Sequence, residues 1–171
     1  MMTKRNFLLA GAATAGLAAI AARFGVGRAQ SEASTEVFEV TKTPEEWREI
    51  LTPEQYAVLR EESTEYPWTS ELLKEHRRGT FACAGCDLPL FESDKKFDSG
   101  TGWPSFWQEI EGNVAYKSDS ALLMERTEEH CRRCGGHLGH IFDDGPPPTG
   151  KRHCINGVSL VFHPAEGETT G

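Results

Sequence analysis

Hydrophobic positions along this chain change rhythm several times, and each change predicts an element. Residues 7–22 are apolar or small and carry no charge, directly behind Lys4 and Arg5. After a polar stretch over 31–42, two helix starts of one design follow, Thr43-Pro44-Glu45-Glu46 and Thr52-Pro53-Glu54-Gln55. Each offers a Thr N-cap, Pro at the first helical position, and Glu or Gln three residues after the Thr. Trp47, Ile50 and Leu51 fall on one face of the first helix, Tyr56 and Leu59 on one face of the second, which predicts short helices packed on the outside of a domain. Residues 63–79 mix Tyr66-Pro67-Trp68 with a stretch that can make a helical turn before Gly79, and no element is assigned there. Beyond them the period shortens. Residues 80–83, 90–91, 114–117 and 121–127 read as strands, the last apolar on both faces at its start and therefore central. Residues 138–142 lead into the stiff turn Asp143-Asp144-Gly145-Pro146-Pro147-Pro148, and 151–156 read as extended. Alternation then puts Arg152, Cys154 and Asn156 on one face and His153 and Ile155 on the other.

The apolar run near the start is sixteen residues long, short of the ~20 that a membrane span needs. A basic start, an apolar middle and small residues up to Ala29 make residues 1–29 an export signal, cut after Ala29 or earlier near Ala22, with an uncleaved anchor as the alternative. Thr3-Lys4-Arg5-Asn6-Phe7-Leu8-Leu9 resembles a twin-arginine signal in which Lys4 replaces the first arginine. The expected order is a flexible lead-in over 30–42, one domain over 43–164 and a disordered tail over 165–171, in the periplasm and without stable membrane insertion once cleaved.

Composition narrows the function. The chain has 171 residues, 38% of them hydrophobic, with 17 Gly and 9 Pro, which favours short strands and many turns over long helices. Its formal charge is −8, and because all four charges of the leader are basic, the remainder holds 14 Lys and Arg against 26 Asp and Glu. So acidic a body repels phosphate backbones and excludes nucleic acid as the main partner.

Five cysteines carry the candidate chemistry. Cys83-Ala84-Gly85-Cys86 and Cys131-Arg132-Arg133-Cys134 are two CxxC pairs separated by forty-four residues. Two such knuckles supply the four thiolates of a closed structural zinc site, one ion per chain. Redox-active pairs or two disulfides are the competing readings. An export route for folded protein would carry the metal already installed. Cys154 is the one cysteine outside a pair, and Arg152 on its face favours the thiolate, the nucleophilic form. An inert buried thiol is the alternative, just as the loop over 96–107 reads equally as a pocket lip or a small hydrophobic core.

Together the CxxC pairs, Ser99-Gly100-Thr101-Gly102-Trp103-Pro104-Ser105-Phe106, His137-Leu138-Gly139-His140-Ile141-Phe142 with Asp144-Gly145-Pro146, and Arg152-His153-Cys154-Ile155-Asn156 resemble the B-type peptide methionine-R-sulfoxide reductases. The resemblance implies a mainly β fold with two small antiparallel sheets and short N-terminal helices, a β-tent, and a zinc site remote from the active centre. It implies Cys154 as the nucleophile, with His137, His140, Asp144, Arg152 and Asn156 as its polar set and Trp103 and Phe106 as the substrate wall. The reaction would leave a sulfenic acid on Cys154. Thr101 stands where many members carry a resolving cysteine, so an outside thiol, thioredoxin-like, would complete the cycle. His153 stands where many have an aromatic residue, and its expected placement is outward. Protein-bound and free methionine sulfoxide are both candidate substrates of what would be a monomeric repair enzyme. A zinc-ribbon binding module with Cys154 incidental, and a thiol enzyme for another small sulfur or carbonyl substrate, are the rivals.

Overall fold

The computed structural model describes residues 36–120 and 125–167. The leader and most of the tail expected to be disordered lie outside the described residues, as does the start of the strand expected over 121–127.

Both helix starts form as their sequences dictate. Helix α1 (Pro44–Ile50) and helix α2 (Pro53–Glu61) each open on a complete capping box: the Thr43 and Thr52 hydroxyls accept from the Glu46 and Gln55 N–H groups, and those side chains accept from the Thr N–H groups. Four backbone donors that a helix start would otherwise leave bare are thereby satisfied. Trp47, Leu51, Val58 and Leu59 are buried, while Ile50 points to solvent, so the buried face of α1 is the Trp47–Leu51 pair. The Val40 N–H donates to the Arg133 carbonyl at 3.0 Å and Glu36 meets His130 at 2.9 Å, which ties the lead-in to the second knuckle.

Among the described residues, nine strands follow in two antiparallel sheets. Strands β1 (Gly79–Cys83), β2 (Pro89–Glu92) and β9 (Leu160–Pro164) form a three-stranded sheet in the order β2-β1-β9. Strands β3 (Lys96–Phe97), β4 (Ser105–Phe106), β5 (Val114–Asp119), β6 (Arg126–Cys131), β7 (His137–Phe142) and β8 (Arg152–Ile155) form the six-stranded sheet β3-β4-β8-β7-β6-β5. The mainly β architecture with two short helices is the one expected. In the segment left unassigned, a single 3-10 turn spans Glu71–Lys74, capped by Ser70.

The core includes Phe81, Phe91, Phe106, Leu90, Leu138 and Ile155, each wholly buried. Phe91 and Phe106 stack with ring centroids 4.4 Å apart, and Phe81 meets Phe106 edge-on at 5.0 Å. This corrects the assignment of Phe106 to the substrate wall. Phe106 pairs in register with His153, whereas its neighbour Ser105 pairs with Cys154, so the pleat turns the Phe106 ring away from the Cys154 side chain.

Candidate active site

Strand β8 lies between β4 and β7, and its register sets one row of side chains across the sheet: Ser105, Cys154, His140, Glu128 and Lys117, on β4, β8, β7, β6 and β5. Above Cys154 is a cavity of about 170 Å³ bordered by Trp103, Arg126, His140, Phe142 and Asn156. The spacing of β7 and β8 demands a residue without a side chain at Gly139, where a Cβ would sit 2.0 Å from the Cys154 carbonyl oxygen.

Opposing forces act on the Cys154 thiol. Burial pushes its pKa up and the charge of Glu129 adds to this, while Arg152, as a charge and a hydrogen-bond donor, and the Thr101 hydroxyl pull it down; burial wins. The sequence therefore anticipated the sign of the Arg152 effect and not the outcome. Arg152 is fixed from two sides, its guanidinium stacked 4.3 Å over the Phe142 ring and gripped by both carboxylate oxygens of Asp144, at 2.8 and 3.0 Å. The first-ranking influence on Asp144 is that grip, which holds its carboxyl below the usual range. With both oxygens on Arg152 and no share in lining the cavity, Asp144 orients the cation.

The two histidines are each backed by a carboxylate that the sequence had not singled out. His140 Nε2 lies 2.8 Å from Asp119 Oδ2, which also accepts from Arg126 at 2.6 Å. Burial is the largest influence on His140 and lowers its pKa; Asp119 pulls the other way and Arg126 adds to the lowering, so the ring is neutral near neutral pH. His137 Nδ1 lies 2.9 Å from Glu128 Oε1, its ring 5.6 Å from that of His140. Burial opposes ionisation of Glu128, but His137 and Lys117, the latter at 2.9 Å, hold it charged and below the usual range. Arg126 borders the cavity, and its buried Nε has no hydrogen-bond partner among the described residues. Asn156 also borders it, but its amide donates to the Leu138 carbonyl and accepts from the Glu65 N–H, both at 2.9 Å, so it braces β7 and residue 65. Trp103 is oriented by its indole N–H, which donates to the Glu65 carbonyl at 2.9 Å. Thr101 Oγ1 stands 3.9 Å from Cys154 Sγ, and Ser99 links it to Ser105 by two 2.8 Å hydrogen bonds.

The other four cysteines meet away from this cavity. Their sulfurs lie within 4.8 Å of one another, with Cys83–Cys134 at 3.7 Å and Cys86–Cys131 at 3.5 Å, and no pair is oxidised. Tetrahedral zinc thiolate bonds of about 2.3 Å place sulfurs ~3.8 Å apart, so the cluster can hold a metal ion of that size. Arg60 braces the second knuckle, donating to the carbonyls of Cys134 and Gly135 at 3.0 Å each, with its guanidinium 4.9 Å over the Trp47 ring. The two helices are thereby fastened to the four-cysteine cluster.

A SelR domain model matches residues 51–164. The peptide methionine sulfoxide reductase MsrB of Agrobacterium fabrum is 55% identical over 126 residues, covering 73% of this chain and 93% of its own. The protein of the same name from Methanosarcina barkeri is 53% identical over 128 residues, covering 74% and 90%, and that from Pseudomonas putida 54% over 129 residues, covering 75% and 97%. This chain belongs to the MsrB family of peptide methionine sulfoxide reductases. Among solved structures, a Mis18 Yippee-like domain aligns with 53% of this chain and all of its own at a TM-score of 0.42 and 16% identity, too loose a likeness to add to the assignment.

As an MsrB reductase the protein is an oxidoreductase that reduces methionine sulfoxide, and its site contains more than the sequence disclosed. The missed residues are Asp119, Arg126 and Glu128. Alternation in Arg126-Thr127-Glu128 already put two of them on one face, but only the β5–β6–β7 pairing shows that this face is the one with Cys154. His153 is not outward as expected. It is 1% exposed, with Nδ1 2.6 Å from Glu129 Oε1 and Nε2 3.2 Å from Glu109 Oε2, because the face of β8 opposite Cys154 is packed against the core.

A raised thiol pKa means the nucleophile is gained as pH rises through a value above the ~8.5 of a free cysteine. The rate of Cys154 alkylation by iodoacetamide, followed on its own peptide by mass spectrometry, is expected to have its midpoint above that value. Arg152→Met is expected to move the midpoint higher still. A wild-type midpoint below 8 would contradict the balance described.

Proposed function

We propose that this MsrB reductase acts on the R epimer of methionine sulfoxide by a cycle that uses one cysteine of its own. The observation that carries this is Thr101 at 3.9 Å from Cys154 Sγ, a hydroxyl where a resolving thiol would stand, with the other four cysteines gathered in the metal cluster. The cavity lining combines the aromatic rings of Trp103 and Phe142 with the polar groups of Arg126 and His140. A sulfoxide seats its methyl group on the rings and its oxygen on the polar side, and this arrangement favours one hand at sulfur.

Cys154 sulfur attacks the sulfoxide sulfur as its proton, taken up by the neutral His140 ring that Asp119 backs, passes to the departing oxygen. The oxygen passes to Cys154, which is oxidised by two electrons to the sulfenic acid, and the substrate sulfur is reduced by two to the thioether. One external thiol then condenses with the sulfenic acid, releasing water and leaving a mixed disulfide, and a second displaces it to restore Cys154. A thioredoxin-like donor fits this role. Cys83, Cys86, Cys131 and Cys134 would hold one zinc ion, which when bound cross-links the two knuckles and stabilises the fold.

The leader supports delivery to the periplasm, where a monomeric repair enzyme meets oxidised proteins. The twin-arginine-like residues 3–9 and a metal that has to be installed before export support the folded route. Fusing residues 1–35 to a reporter is expected to give export that stops when the twin-arginine translocase is removed, and export that persists would sink that part.

Native mass spectrometry tests the cycle and the metal together. The resting protein should carry one zinc. After one equivalent of methionine-R-sulfoxide without reductant it should gain one oxygen located on Cys154, while the S epimer and Cys154→Ser give no change. A loss of two hydrogens, signalling an intramolecular disulfide, would overturn the single-cysteine cycle.

A further inference from the structure

Tyr66 and Trp68 leave 83% and 64% of their surfaces exposed, yet the backbone that carries them is tightly held. Glu65 accepts the Trp103 indole N–H on its carbonyl and the Gly157 N–H on its carboxylate, at 2.9 and 2.6 Å, and donates its own N–H to Asn156 at 2.9 Å. The Thr69 hydroxyl donates to the Tyr66 carbonyl at 2.7 Å, and the Trp68 N–H to the Gly102 carbonyl at 2.8 Å. Trp68 itself has a φ of 67°, a conformation that is a genuine outlier for a bulky residue. Gly102, at φ 94°, has no room for a side chain, since a Cβ there would sit 2.8 Å from Pro67 and 3.0 Å from the Trp68 ring. Two aromatic rings are thus presented to solvent on a strained and fastened segment, and a surface already ordered loses little freedom when a partner covers it.

The segment also joins two concavities. Thr64 and Trp103 border the 170 Å³ cavity over Cys154, while Trp68 and Trp103 border a groove of about 840 Å³ that continues past Lys74, Lys96 and Asp98. Trp103 is their common wall. The small cavity accommodates the methylsulfinyl end of a side chain, so the chain bearing that side chain has to lie outside it, and the groove shares Trp103 with it. Its charges are of both signs, which suits the backbone of varied sequences better than one charged ligand.

We propose that residues 64–70, with Tyr66 and Trp68 exposed, form a docking platform for the polypeptide flanking an oxidised methionine, and that this surface makes the enzyme prefer sulfoxide in an unfolded chain over the free amino acid. The proposal rests on the reading that Cys154 reduces methionine-R-sulfoxide.

Steady-state kinetics of the purified mature enzyme with dithiothreitol test it, using free L-methionine-R-sulfoxide and a short unstructured peptide with methionine-R-sulfoxide at its centre. Trp68→Gly removes the ring and suits the positive φ. It is expected to raise KM for the peptide roughly fivefold to tenfold, leaving kcat and the free amino acid within about twofold. Tyr66→Ala, which deletes only an exposed ring, shifts the peptide KM in the same direction by less, and it carries the test alone if Trp68→Gly fails to fold. An unchanged peptide KM, or an equal loss on both substrates, overturns the platform. Failure of the wild type on both substrates is a different result: it overturns the reading of Cys154 and the platform with it.

Discussion

Everything at this site depends on how closely β8 is clamped between β4 and β7. A backbone approach that leaves no space for a Cβ at Gly139 fixes the register of the two strands. That register delivers Ser105, Cys154, His140, Glu128 and Lys117 in a single row from five strands remote in sequence. A slip by one residue would exchange Cys154 for His153 and move the Cys154 thiol into the core. The opposite face guards against it, since His153 is buried between Glu129 and Glu109 beside the stacked Phe91 and Phe106 rings.

Burial creates the electrostatic problem that the surrounding residues answer. A thiol in this position resists ionisation, and Glu129 behind the strand adds to the resistance. Arg152 opposes both, and Asp144 and Phe142 keep it where it can. Carboxylates stand behind both histidines, so that neutral His140 is oriented by Asp119 and His137 by Glu128. Cys154 is therefore held back from ionising at rest, with His140 and Arg126 beside it on the cavity lining.

Local signals were legible in the sequence and pairing-dependent ones were not. The capping boxes of α1 and α2 and the two CxxC knuckles depend on residues a few positions apart, and each formed where the pattern put it. Alternation along 151–156 correctly set Arg152 and Cys154 on one face, with His153 on the other. What it could not say is which face is the core, and so His153 was placed outside. Phe106 failed for a related reason. Strand β4 is two residues long, too short for a periodicity, and only its pairing with β8 decides that Ser105 and not Phe106 shares a face with Cys154. Asp119, Arg126 and Glu128 stayed hidden because acidic and basic residues on a strand look like a solvated face until the neighbouring strand brings the histidines to them.

The central claim is that the carboxylate-backed histidine beside Cys154 supplies what a poorly ionised thiol lacks. The most direct test is the single-turnover rate of Cys154 oxidation by methionine-R-sulfoxide in Asp119→Asn, which keeps the shape of the side chain and removes its charge. The account predicts a rate about 100-fold below wild type with the four-cysteine metal site intact. A rate within about twofold of wild type would contradict it.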